Sequence, residues 1–346
     1  MTTNDRLELM GAPGSPYTRK MVSLLRYRRI PHNMIWGGHR GEPKRRPDPK
    51  VRLLPTFYFP KADGSGIEAI VDSTPIIRRL ETDYAGRSVV PSDPATAFIN
   101  DLIEDFADEW LTKPMFHYRW AHEEDAKNAG PLIIYWQDPT LAADEAAPAI
   151  EFFTKRQIDR LYVVGSNEVT AKTIEESYKR LLKILDELIQ KQGYVLGARP
   201  ASADFAIFGQ LTQLGYVEPT SARLLHAAAP RVRAWMDRME DLSGLEPEES
   251  DWASPDELAK SLKPFLNEIG RVYAPFLLAN AQAVHKGEAS FTTQIDGRKW
   301  TQPTFPYQAK CLAWLRETHA ALPNDARETV AVILAGTGCE PLLGAG

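Results

Sequence analysis

Two helix starts rich in hydroxyls, with a cationic stretch between them, hold most of the chemistry this sequence can offer. Ser15-Pro16-Tyr17-Thr18 is the first. Serine is a preferred N-cap and proline is preferred at the first helical position. Free N–H groups and the helix macrodipole favour negative charge there. Ser15 therefore reads as a cap, as a hydrogen-bond donor to a bound anion, or as both. Tyr17 and Thr18 are the next candidates for such a donor. Asp72-Ser73-Thr74-Pro75 is the second start. It reads as a second helix start with several cap candidates and an acid in its first turn. Residues 19–52 carry eleven basic side chains (Arg19, Lys20, Arg26, Arg28, Arg29, Arg40, Lys44, Arg45, Arg46, Lys50, Arg52) against two acids, Glu42 and Asp48. Such a run is a solvated loop face or a field that draws in an anion. No clear aromatic stacking platform accompanies it, which argues against single-stranded nucleic acid.

Other chemistries are excluded. Cys311 and Cys339 are the two cysteines of a 346-residue chain. They cannot make a disulfide scaffold, a four-cysteine zinc site or a CxxC redox motif. His117 and His122 lie five apart, off a single helical face, and there is no HExxH, so no metal site is expected. A net charge of −5 argues against a dedicated nucleic-acid binder. No apolar run approaches the roughly 18 residues of a membrane span. Met1 to Leu9 lacks an apolar signal core. These features predict a soluble protein of the reducing cytoplasm.

Several elements must position these residues. Leu7 to Met10 reads as a strand, followed by the loop Gly11-Ala12-Pro13-Gly14 and a helix carrying Tyr17, Met21, Leu24 and Leu25. Asn33 to Trp36 is a second strand, parallel to the first through a crossover. Gly37 to Lys50 is a loop. Leu54-Pro55 leads into a strand at Thr56 to Phe59, which pairs as a hairpin with Ile67 to Val71. A helix follows, with Ile76, Ile77, Leu80 and Tyr84 on its buried face. Pro91 to Pro94 is a linker. Beyond it the pattern is helical, with a stripe at Ile99, Leu102, Ile103, Phe106 and Trp110 that Pro114 ends or kinks. Thr173-Ile174-Glu175-Glu176 matches a capping box opening another amphipathic helix. Further helices begin near Ala201 and at Pro230. After residue 247, Ser254 to Glu257 is another cap, Asp296-Gly297 marks a hairpin, and Tyr307 to His319 is helical. The chain divides into 1–86, an all-helical 95–246, and an extension over 247–346.

These motifs, in this order, resemble the glutathione transferase family over about residues 5–246. The N-terminal element order is that of a thioredoxin-like α/β domain. Ser15 to Lys20 stands where the family places its catalytic residue. Leu54-Pro55 is similar to its Val-Pro step, whose proline is cis. Asp72-Ser73 followed by Ile76 is similar to its Glu-Ser-x-x-Ile motif, with a shorter acid. Gly197 to Phe205 resembles its buried capping segment, with Ala201 in place of the usual hydroxyl and Ser202 shifted by one. Pro230-Arg231-Val232 with Trp235 resembles a late family helix.

The resemblance implies glutathione as co-substrate and no metal. It implies that Ser15, or Tyr17, stabilises the thiolate. Leu54 and Pro55 would pair with the cysteinyl backbone, Asp72 with the ammonium and Ser73 with the γ-glutamyl carboxylate. Lys50 or Arg52 would reach the glycyl carboxylate. Lys113, His117 and Trp120, on the helix that lines the electrophile pocket in the family, would contact an apolar or aromatic electrophile. A homodimer serving detoxification is implied, with no nucleic-acid or membrane partner. Two other readings stand: a non-catalytic module that binds glutathione or a protein, and a glutathione-dependent etherase, dehalogenase or isomerase. Serine where thioredoxin-like reductases carry a cysteine argues against thiol–disulfide exchange.

Overall fold

The computed structural model describes residues 6–37 and 46–344. Arg40, Glu42, Lys44 and Arg45 of the basic stretch lie outside the described residues. The chain begins with β1 (Leu7–Gly11), α1 (Pro16–Tyr27), β2 (His32–Trp36), β3 (Thr56–Pro60), β4 (Ile67–Ile70) and α2 (Ser73–Asp83). The sheet order is β2-β1-β3-β4. β1 and β2 are parallel, as the crossover requires, and β3 runs antiparallel to both β1 and β4. This is the α/β arrangement expected from the sequence.

The helical part comprises α3 (Pro94–Glu109), α4 (Thr112–Ala121), α5 (Glu123–Tyr135), α6 (Ala143–Ile158), α7 (Ala171–Gln192), α8 (Ser202–Thr212), α9 (Pro219–Ala228) and α10 (Pro230–Met239). Helix α7 starts two residues before the supposed capping box. Thr173 is buried inside its first turn, and Glu175 is free to face α4. The start of α8 is held in another way than a serine cap. The Asp204 carboxylate accepts from Ala201 N (2.9 Å) and Val195 N (2.9 Å). Ser202 instead donates to Glu104 Oε2 (2.5 Å), so it does not take over the cap.

The extension folds into α11 (Pro255–Ser261), α12 (Lys263–Glu268), α13 (Ala274–His285), the hairpin β5 (Ser290–Ile295) and β6 (Arg298–Pro303), α14 (Pro306–Ala321) and α15 (Asn324–Leu334). Asp296 and Gly297, with φ of 52° and 70°, make the tight turn that joins β5 to β6. The extension shares one core with α3. Phe106 meets Phe265 (5.7 Å between ring centroids) and Tyr273 (5.9 Å). Trp110 meets Phe276 (5.8 Å) and Trp300 (5.5 Å). This stripe is therefore core, and part of what covers it comes from beyond residue 247. Among the described residues, no helix is long and apolar enough to cross a membrane.

Candidate functional site

Ser15 caps α1. Its Oγ accepts from Thr18 N (3.2 Å) and its hydroxyl donates to the Leu54 carbonyl (3.3 Å). The Leu54-Pro55 peptide bond is cis. Ser15, Leu54 and Pro55 thus meet at the N-terminus of α1. The Tyr17 hydroxyl points elsewhere and donates to the Asp108 carbonyl across the interface with α3 (2.8 Å). Burial, with Glu109 and Asp108 adding to it, raises this phenol well above its ordinary range.

The loop before Ser15 is clamped by two side chains of the helical part. Arg119 Nη1 donates to the Gly14 carbonyl (3.0 Å) and Gln213 Nε2 to the Pro13 carbonyl (3.2 Å). Arg119 is itself fixed by Glu218 and by Gln213 Oε1 (2.7 Å). Arg119 stood in the sequence as one of several polar residues of its helix. Only its burial marks it as a clamp.

Asp72 and Ser73 sit at the start of α2. Asp72 has φ 82°, a conformation that favours glycine, and accepts from Thr74 N (3.4 Å). Ser73 Oγ accepts from Lys20 Nζ (3.0 Å), which leaves its own proton to donate. Lys20 is fully buried and also reaches Glu104 (2.8 Å) and Asp108 (2.6 Å). The other Asp72 oxygen is occupied by the extension: Tyr307, at the start of α14, donates its hydroxyl to Asp72 Oδ2 (2.7 Å). The neighbouring Gln308 donates to Glu109 Oε2 (2.9 Å).

The basic stretch is largely paired. Arg19 and Arg26 meet Glu240, Arg28 meets Glu81, Arg29 meets Glu246 and Arg46 meets Glu8. Arg52 meets Asp48 (3.2 Å) in solvent, and Lys50 is exposed beside it.

Lys113, His117 and Trp120 face three different surroundings. Lys113 lies under the β5–β6 hairpin, its Nζ on Gln302 Oε1 (3.2 Å), on the Val164 carbonyl (3.3 Å) and 3.8 Å from the centre of the Phe276 ring. Burial lowers it to about 7, with Glu109 opposing. His117 faces Ser166 and Glu175. Trp120 lines a surface groove of about 660 Å³ with Ala126, Pro131, Ile150 and Ile158.

Helix α3 carries several acids whose pKa values lie far from the ordinary carboxylate range. Burial pushes Asp101 up to about 6, Asp105 to about 7 and Glu109 to about 8. Burial likewise puts Asp204 and Glu218 near 7. Burial would also raise Glu104, but Lys20 and Arg78 outweigh it and hold it at about 2. A carboxyl raised in the folded state stabilises below its unfolded value, and that stability is lost as pH rises through the folded one. Lys113 works the other way only above about 7. Burial depresses His117 and His319, which oppose the trend below their ordinary value. These carboxyls, with Asp108 also raised by burial to about 6, outweigh two imidazoles, so the urea midpoint is expected to be higher at pH 5 than at pH 7. Glu109→Gln should flatten the difference. A midpoint that rose from pH 5 to pH 7 would contradict the assignment.

Residues 9–88 match the family model of the glutathione S-transferase N-terminal domain, and residues 140–238 that of the C-terminal domain. Three solved structures are among those similar to the chain. One is a tau class glutathione S-transferase from mango, Mangifera indica (18% identity over 71% of this chain and 94% of that one, TM-score 0.40). Another is a GST-like protein from Pseudomonas syringae (16% identity, 70% and 76%, TM-score 0.42). A third is a glutathione transferase from Pseudomonas putida with one glutathione disulfide bound per subunit (17% identity, 69% and 87%, TM-score 0.39). No curated protein matches the chain. The two family models fall in their proper order and together cover just over half of the sequence: this protein belongs to the glutathione S-transferase family.

Proposed function

We propose that the chain is a glutathione transferase in which the Ser15 hydroxyl stabilises the glutathione thiolate for attack on an apolar or aromatic electrophile. The observation that carries this reading is the junction of Ser15 with Leu54 and the cis peptide at Pro55. Thr18 N already donates to Ser15 Oγ, so the serine proton needs only to turn from the Leu54 carbonyl to a sulfur anion. The α1 N-terminus adds its partial positive charge at the same place. Leu54 offers backbone groups to the cysteinyl unit, and Asp72 accepts from the ammonium. Ser73, oriented by Lys20, donates to the γ-glutamyl carboxylate. Lys50 or Arg52 reaches the glycyl end. Holding both reactants lowers the entropic cost of their encounter.

A second reading, a module that binds glutathione or a protein without turnover, is favoured by Tyr307. Its hydroxyl occupies the carboxylate that the ammonium needs. Retention on immobilised glutathione and turnover of a general aromatic electrophile separate the two. We expect the wild type to be retained and active. Ser15→Ala should remain bound but lose about 10²-fold in kcat, the order found for a lost anion-stabilising donor. Tyr307→Phe should be retained more strongly. Retention without turnover selects the module. Full activity in Ser15→Ala with an unchanged pH profile removes the serine from the chemistry. Failure of both the wild type and Tyr307→Phe to bind overturns the transferase reading and the glutathione-binding module, and leaves the module only as a protein binder.

A further inference from the structure

The five-residue spacing of His117 and His122 argues against metal binding only if both sit on one helix. They do not. α4 ends at Ala121, and His122 follows in an extended conformation (φ −102°, ψ 129°), which swings its ring back toward His117. The two rings lie 5.3 Å apart at 82° to one another. Glu175, which the true start of α7 turns toward α4, completes the group. His117 Nε2 is 3.3 Å from Glu175 Oε1, and His122 Nε2 is 3.5 Å from the same oxygen. A ligand atom from each of the three lies within 4.8 Å of the other two.

We propose that His117, His122 and Glu175 bind a divalent cation of the zinc class, with a fourth position open to solvent. Four observations carry this beyond a chance cluster. The donor set, two imidazoles and one carboxylate, is one that zinc takes in three-ligand sites. The two nitrogen–oxygen separations match the edge of a tetrahedron with zinc–ligand bonds of about 2.0–2.1 Å, an edge of about 3.3 Å. His117 Nδ1 is held by the Ser166 hydroxyl (2.8 Å), the kind of outer contact that fixes a ligating ring and leaves its other nitrogen free for a metal. Lastly, His122 Nε2 is buried without a hydrogen-bond partner, although it points into the cluster. A buried nitrogen of this kind costs stability unless something meets it, and a cation would. Tyr118 stacks on the His122 ring (5.4 Å, 15°) and limits its rotation. The side chains of His122 and Glu175 are about one-third exposed, which gives the ion an entry and a water its place. The site ties α4 to α7 and the Ser166 turn. It is independent of Ser15 and of the glutathione reading.

The test uses the full chain without an affinity tag, stripped with chelator and titrated with zinc chloride alone. We expect one zinc retained per chain after gel filtration. Cobalt(II) should give the intense visible bands of four-coordinate geometry. His122→Ala and Glu175→Gln alter half-buried side chains, and circular dichroism checks that each variant folds. Each should weaken zinc binding at least about tenfold. No retained zinc in the stripped wild type, or wild-type uptake in both variants, overturns the proposal.

Discussion

Replacing Trp300 by alanine is expected to cost about 3–5 kcal/mol, the usual loss for a large aromatic removed from a closed core. Trp300 is fully buried, and its ring packs on Trp110, which caps the end of α3 (5.5 Å), and on Phe276 of α13 (6.1 Å). The loss is of the same order as the whole stability of a typical domain, about 5–15 kcal/mol. Because the ring joins the extension to the helical part, both should unfold together, in one transition at lower urea. Trp314, on the same extension but 47% exposed, is the control, and its alanine variant should stay within about 0.5 kcal/mol of wild type. Should Trp300→Ala melt the extension alone and leave the remaining helical signal at its original midpoint, the shared core would be refuted.

Lys20→Met is the second large effect. The lysine is buried between Glu104, Asp108 and the Ser73 hydroxyl. Removing one partner of a buried ion cluster leaves charge without compensation and costs about 3–5 kcal/mol. The sign with pH follows from Glu104, which Lys20 and Arg78 hold at about 2 against its burial. That stabilisation is present above the ordinary carboxylate value and is lost as pH falls through the folded one. The variant should therefore lie furthest below wild type near neutral pH and recover part of the gap at pH 3–4. A deficit under about 1 kcal/mol, the same at every pH, would show that the cluster contributes little.

The N-terminal domain and the late hairpin were legible because their punctuation is local. Gly11 to Pro16 ends a strand and starts a helix within a few residues, and Asp296-Gly297 forces the hairpin turn by conformation alone. α7 was misplaced because Thr173 looks like a cap but is buried in the first turn, while Glu175 turns to the histidines. α15 was missed although Ala326, Val330, Ile333 and Leu334 recur at helical spacing, since no capping side chain announces it. The contact of Tyr307 with Asp72 spans 235 residues and has no local signature. The same holds for Lys113, whose position suggested a pocket wall and whose surroundings come from a hairpin nearly 190 residues later.

On the proposed reading of Asp72 as an ammonium acceptor, Tyr307 would act as a competitor that travels with the protein. A ligand that needs Asp72 Oδ2 would compete with a hydroxyl held at the effective concentration of a tethered group. The apparent dissociation constant is then the intrinsic one divided by the fraction of molecules in which Tyr307 is withdrawn. If that fraction were about one in a hundred, affinity would be weakened about a hundredfold with no change in the site itself. Dilution cannot relieve such competition. Anything that draws α14 away would raise affinity without touching a single residue of the thioredoxin-like domain.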